Sequence, residues 1–330
     1  MCIESFSLMQ QRLNANNRPG YSKWSNILFS IGAALTVTAW GVSFVSTKVL
    51  LDNGLSSVEI YILRFIFAYL IVLAFSHDKM WADSWADELR LALCGLLAGS
   101  IYFIAENTAL EYTKVAFVAL ITALAPLLTT ILVGILYKSE RPSSGTWFGS
   151  IIAFVGVGFV IFNGGGDDGG AAQSWSDNII GDLLALASAL SWCVYSVILR
   201  RLNVIYTTNF ITRKTFFYGI ITAIPFLAAE PHIASFSILL EFEVWGNLLF
   251  LILGASILAF FFWAIAVKRL GAVKASNFLY MSPVVSLIAA WIILGEKITF
   301  MGYLGCAFIV GGLILGDYLS AHPLRPKWRH

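Results

Sequence analysis

Charge is what this sequence has least of. Of 330 residues, 21 are basic and 19 acidic, 12% in all. A soluble chain carries about twice that share. So few charges cannot coat the two water-soluble domains that the length alone suggests, and the apolar share of 58% excludes a disordered chain. Cysteine is scarce too. Cys2, Cys94, Cys193 and Cys306 form no C-x-x-C pair and read as small buried hydrophobes, not as a disulfide or metal framework. His77, His232, His322 and His330 fall in loops or the tail, so no intramembrane metal site and no cofactor are expected. A net charge of +2 is too balanced to suggest a nucleic-acid partner, and none is expected. The run Gly164-Gly165-Gly166-Asp167-Asp168 lacks the Lys-Ser/Thr of a phosphate loop, so no nucleotide is expected to act directly.

What the sequence has instead is long apolar runs. A span of lipid takes about 20 such residues. Ten runs can be marked, near 26–49, 57–76, 89–110, 113–137, 146–163, 179–199, 208–229, 244–267, 271–294 and 299–318. They do not alternate as barrel strands do. Lipid offers the backbone no hydrogen bonds, so each run is expected to be a helix. The expected fold class is an all-α membrane protein of ten transmembrane helices. The apolar run after the polar start is too long for a signal peptide and reads as a retained span.

Lys and Arg orient the chain. With the N-terminus in the cytoplasm, fifteen basic residues fall on the cytoplasmic side, and only Lys48, Lys114 and Lys297 on the other. Both termini are then cytoplasmic, and the number of spans is even.

The two halves resemble each other in order. Ala39-Trp40-Gly41 faces Ser191-Trp192-Cys193, and Leu63-Arg64-Phe65 faces Thr212-Arg213-Lys214. Pro126 and Pro283 each precede an apolar stretch that ends in an acid-base pair, Glu140-Arg141 or Glu296-Lys297. Behind these come Trp147, Gly149 and Gly156 in one half and Tyr303, Gly305 and Gly312 in the other. With five spans per half, the second half enters the membrane from the opposite side. The expected layout is a cytoplasmic tail 1–25, a first repeat 26–163, an outer linker 164–178, an inverted second repeat 179–318 and a cytoplasmic tail 319–330.

Trp40-Gly41, Leu63-Arg64-Phe65, Ala109-Leu110-Glu111-Tyr112-Thr113, Pro126 and Glu140-Arg141 resemble the EamA repeat of the drug/metabolite transporter superfamily. The resemblance covers 27–163 and 179–318 as two copies. It implies a secondary transporter in the plasma membrane (the inner membrane of a bacterium), often an exporter of amino acids or other small metabolites, and no enzyme. Two departures stand out: an extra residue after Pro126, and the acid Glu106 where an apolar residue is expected.

Glu106 is the sharpest single feature, because a carboxylate at membrane depth costs on the order of 3 kcal/mol. It suits proton coupling or a substrate amine. A fixed pair with Arg64 or an interfacial position would also explain it. Arg64 and Arg213 suit a substrate carboxylate, with snorkelling or a helix-end contact as the plainer reading. Pro126 and Pro283 are expected to kink their helices and frame a site, with Thr122, Ser282 and Ser286 near enough to bond the freed carbonyls. Trp40, Tyr102, Trp192, Tyr195, Trp263 and Tyr280 lie deep in the runs, with Asn107, Asn277, Ser43, Ser191 and Ser276 at similar depth. Together they suggest an aromatic pocket for a small amphipathic molecule. The pairs Gly95/Gly99, Gly145/Gly149 and Gly312/Gly316 read as packing within the chain before a dimer contact. Monomer and homodimer both remain open. The runner-up to a transporter is a non-transporting membrane scaffold or receptor.

Overall fold

The computed structural model describes residues 23–75, 79–136, 143–162, 175–230, 233–235, 237–259, 262–263, 265–266 and 277–321. The four histidines, Cys2, Ser276, Glu140-Arg141, most of the linker and both outermost tails lie outside them. Among the described residues the chain is helical, with no strand.

The helices are α1 (Lys23–Asp52), α2 (Ser57–Phe75), α3 (Trp85–Tyr112), α4 (Val115–Thr122), α5 (Ala125–Leu136), α6 (Ser144–Phe162), α7 (Trp175–Ile205), α8 (Thr208–Ala229), α9 (Phe242–Leu258), α10 (Met281–Leu294) and α11 (Phe300–Ala321). Five segments are long and apolar enough to cross a membrane: Ile27–Asp52, Ser57–Ala74, Trp85–Tyr112, Val115–Leu136 and Asn178–Ile205. Shorter apolar helices follow at Trp147–Phe159, Phe242–Leu258, Met281–Leu294 and Phe300–Gly316. α8 is 22 residues long but opens on Thr208-Asn209 and carries Arg213-Lys214, so its first half is polar.

Several helices outrun their apolar windows. α3 begins at Trp85, ahead of the apolar run, because the Ser84 side chain accepts from the Asp87 N–H and so caps the helix. α7 continues through Arg200-Arg201, since arginine is a good helix former. α10 ends where Gly295 takes φ +68°, a left-handed cap that costs glycine nothing.

The helical run is interrupted just ahead of Pro126. α4 stops at Thr122 and α5 restarts at Ala125, which puts Pro126 in a first turn, where a missing N–H costs nothing. Pro283 likewise lies in the first turn after a 3₁₀ segment, Asn277–Tyr280. The hydroxyls expected to help do other work. Thr122 donates to Val118 O at 2.9 Å, and Ser286 donates to Gly41 O at 2.7 Å, joining α10 to α1. A proline the sequence reading passed over, Pro225, sits inside α8.

Packing between the two halves of the chain is reciprocal. α1 lies against α9 and α10, while α7 lies against α3 and against α4 and α5. α2 lies against α9, as α8 does against the middle of α3. α2 meets α8, α4 meets α10, and α6 meets α11. Apolar burial alone does not drive such contacts in lipid, so close backbone approach matters. Glycines supply it. A Cβ on Gly149 would lie 2.5 Å from Gly316 Cα, and one on Gly156 2.8 Å from Gly305 O. One on Gly95 would lie 2.5 Å from Tyr218 Cβ. These glycines are used within the chain, as expected.

α4 is the centre of the largest apolar cluster, with every residue buried and neighbours from α1, α6, α7, α10 and α11. The outer faces are apolar too: Leu35, Phe67, Leu70, Phe154, Leu183, Ile224 and Trp291 are exposed, as lipid-facing side chains are.

Candidate functional site

Among the described residues the end of α10, Ala290–Leu294, winds as π-helix, and so do two longer segments, Gly95–Ile101 inside α3 and Phe250–Leu258 in α9. Such turns strain the helical ladder and are frequent at functional sites. Carbonyls in both longer segments accept hydrogen bonds from a helix of the other half. Trp40 Nε1 on α1 donates to Ala255 O at 2.9 Å, and Ser191 Oγ on α7 donates to Leu97 O at 2.7 Å. Beside each bond lies a ring pair: Trp40 with Trp263, centroids 5.3 Å apart, and Trp192 with Tyr102, 5.1 Å apart. Tyr195 extends the second pair, 5.1 Å from Trp192. Five of the six expected aromatic residues are thus brought together in two groups, each shared by both halves.

Phe103, next to Tyr102, leads into a further cluster with Tyr61, Phe65 and Phe216. In that cluster lies Arg64, only 6% exposed. Its guanidinium carbon stands 5.3 Å from the Phe65 ring centre and 5.1 Å from that of Phe103. Its Nε donates to Ser256 Oγ of α9 at 2.6 Å. Glu106, 8% exposed, lies within electrostatic reach of Arg64, and the Tyr102 hydroxyl interacts with its carboxyl. No direct ion pair joins Arg64 to Glu106, and Glu106 Oε2 has no hydrogen-bond partner. The acid is therefore buried and not in direct contact with the arginine.

Other expected residues are used differently. Asn107 Nδ2 donates to Ser57 O at 3.0 Å, fixing α3 to the start of α2. Ser43 bonds Trp40 O of its own turn. Arg213 is apart from Arg64: it donates to Lys79 O ahead of α3 and lies over the Phe210 ring. The side chains of Pro126, Asn277 and Tyr280 lie outside what the structure describes. An open cleft of about 380 Å³ sits elsewhere, between Ile27, Ser30, Ile31 and Ala34 of α1 and Phe278. None of the aromatic residues named above lines it.

Several polar groups do work that the sequence reading did not assign to them. Glu88 and Lys214 form a buried ion pair between the first turn of α3 and the second turn of α8, and Glu88 also accepts from the Tyr218 hydroxyl and the Ala82 N–H. Beside it, Tyr206 joins the same two regions, donating to Asp87 and accepting from the Asp83 N–H at 2.9 Å. At the other end of α3, Thr113 Oγ1 donates to Asp182 of α7 at 3.0 Å. Glu296 accepts from the Val115 N–H at 3.0 Å and caps α4. An acid at the head of an apolar run, with a lysine at the head of another, was the available signal for Glu88 and Lys214. Ser256, a lone serine in an apolar run, gave none.

A lipid-faced helical bundle with charged and aromatic groups gathered inside it defines a multi-pass membrane protein of transporter type. The EamA-like transporter family model matches residues 27–162 and again 179–316. The chain belongs to that family, within the drug/metabolite transporter superfamily. It is 27% identical to an uncharacterized transporter of Archaeoglobus fulgidus, over 86% of this chain and 96% of that protein. It is 26% identical to the uncharacterized transporter YdfC of Bacillus subtilis, over 89% and 92%. It is 25% identical to a probable terminal-alkyne amino-acid exporter of Streptantibioticus cattleyicolor, over 85% and 90%. A crystal structure at 20% identity shares the fold, with a TM-score of 0.59 over 91% of this chain and 99% of that one.

Proposed function

We propose that this chain is a secondary-active transporter, an exporter of a small organic metabolite such as an amino acid. It works by alternating access between two inverted five-helix repeats, 26–163 and 179–318. The linker 164–178 lies outside the plasma membrane and both termini lie in the cytoplasm. Ten spans are proposed, with α4 and α5 forming one. The distribution of basic residues supports the orientation. The reciprocal packing of the halves supports the inverted repeat, since a two-fold relation makes each contact between different spans occur twice.

The observation that carries the reading is the ring cluster of Tyr102, Trp192 and Tyr195, built from α3 of one half and α7 of the other. A site at that seam is exposed to either side as the halves rock. The aromatic residues hold an apolar body and the buried charges hold polar ends. The cleft at α1 lies away from these rings and is not assigned to the substrate. Glu106 is the candidate for proton coupling, being an acid at membrane depth with an oxygen free to carry a proton.

The test is a proteoliposome screen of amino acids and related metabolites, with and without a pH gradient. Uptake or exchange above protein-free liposomes is expected. No flux across a broad panel, from protein that is folded and inserted, would favour a scaffold or receptor instead.

A further inference from the structure

Buried polar atoms are nearly always satisfied by hydrogen bonds. Around Arg64 three conditions break that pattern. Its Nε is committed to Ser256, and its guanidinium lies against the Phe65 and Phe103 rings with no second hydrogen bond among the described residues. Glu106 Oε2 has no partner. The Tyr61 hydroxyl, within electrostatic reach of Arg64, has none either. The two opposite charges lie within electrostatic reach of each other without direct contact, and each keeps part of its hydrogen-bonding capacity open, Glu106 at Oε2 and Arg64 beyond Nε. Two groups placed only for stability would gain by closing into a direct pair.

We propose that Arg64 and Glu106 are specificity-determining residues that read the two opposite charges of one small zwitterion. Arg64 takes the carboxylate through its terminal nitrogens and Glu106 takes the ammonium. Ser256 and the Phe65 and Phe103 rings hold the guanidinium plane for a two-point contact with the carboxylate. Tyr102, the neighbour of Phe103 on α3, interacts with the Glu106 carboxyl and stacks on Trp192, so an apolar body attached to the zwitterion meets rings. The selection rule is electrostatic. A zwitterion adds no net charge to a buried site that already holds one charge of each sign. A lone amine or a lone acid adds one, and leaves either Arg64 or Glu106 without its partner. Among the described residues there is no group of carboxylates, histidines and cysteines for a metal ion, which removes one competing ligand.

The inference rests on the transport reading, and matched ligands separate the two. L-phenylalanine is compared with phenethylamine and 3-phenylpropionate, and L-leucine with isoamylamine and 4-methylpentanoate, by counterflow into proteoliposomes of the full chain. Wild type is expected to prefer a zwitterion over both of its singly charged relatives, on the order of a hundredfold. Glu106→Gln leaves the site positive and shifts preference to the acid. Arg64→Gln leaves it negative and shifts preference to the amine. Glu106→Asp and Arg64→Lys keep the charges and the wild-type ranking, which guards against variants that merely misfold. Wild-type preference for singly charged solutes overturns the inference, as do Gln variants that keep the wild-type ranking or lose all three ligands alike while the charge-keeping variants behave as wild type. In each case transport itself stands. Silence of the wild type across both sets and across a broad metabolite panel overturns both.

Discussion

Arg64 of α2 donates through Nε to the Ser256 hydroxyl of α9 at 2.6 Å, a buried bond between the first and second halves of the chain. A hydrogen bond to a charged group contributes about 1.5–3 kcal/mol. Ser256→Ala is therefore expected to lower thermal stability and to raise KM more than it lowers kcat, because it loosens a binding group. Ser256→Thr keeps the hydroxyl and is expected to restore both. Melting curves and initial transport rates check this.

The Glu88–Lys214 pair closes one end of the α3–α8 crossing. Side chains here are 8% and 6% exposed, so removing one partner strands a charge. Lys214→Met is expected to cost roughly 3–5 kcal/mol. Adding Glu88→Gln to it is expected to recover part of the loss. A double-mutant cycle read by thermal or denaturant unfolding gives the coupling. Strict additivity of the two single costs would contradict it.

Glycines on one helix separate contact from freedom. A Cβ on Gly149 would lie 2.5 Å from Gly316 Cα, so Gly149→Ala must push α6 from α11. Gly158, on the same helix, has nothing within 4 Å of a built Cβ. Gly158→Ala is expected to be neutral or to stabilise by up to about 1 kcal/mol through helix propensity. A lower melting temperature for the first substitution and not the second is the expected result.

Glu296 sets a pH dependence. Burial pushes its carboxyl above the ordinary glutamate value, against the Val115 and Ala116 N–H groups and the Lys114 charge, which pull it down. The folded chain thus holds this proton more tightly than the unfolded one. This contribution to stability is largest below the ordinary glutamate pKa, falls as pH rises toward the raised folded value, and is flat above it. Glu296→Gln keeps a carbonyl oxygen for the Val115 N–H and is expected to flatten the curve in that window. Melting temperature against pH, wild type beside variant, measures it.

Residue chemistry made part of this molecule legible in advance. Continuous apolar runs marked the helices because lipid leaves the backbone no alternative. Gly149, Gly156, Gly305 and Gly312 marked a backbone contact because only a missing side chain permits one. Trp40 and Trp192 stood out as repeat partners, and each turned out to bind rings of the other half. The break before Pro126 was not legible, since a kink and a restart need the same proline. Ser256, Glu88 and Asp182 were not legible either. Their roles depend on a partner more than a hundred residues away in two cases and about seventy in the third, which no local pattern encodes.

The central claim, that a small solute crosses at the aromatic seam between the halves, is tested most directly by counterflow with wild-type and Trp192→Ala protein in the same liposome preparation. Wild type is expected to exchange an amino acid or a related metabolite, and Trp192→Ala to bind it more weakly, with KM raised and the protein still inserted. Exchange in both with the same KM would contradict a site at that seam, and no exchange in wild type across the panel would contradict transport itself.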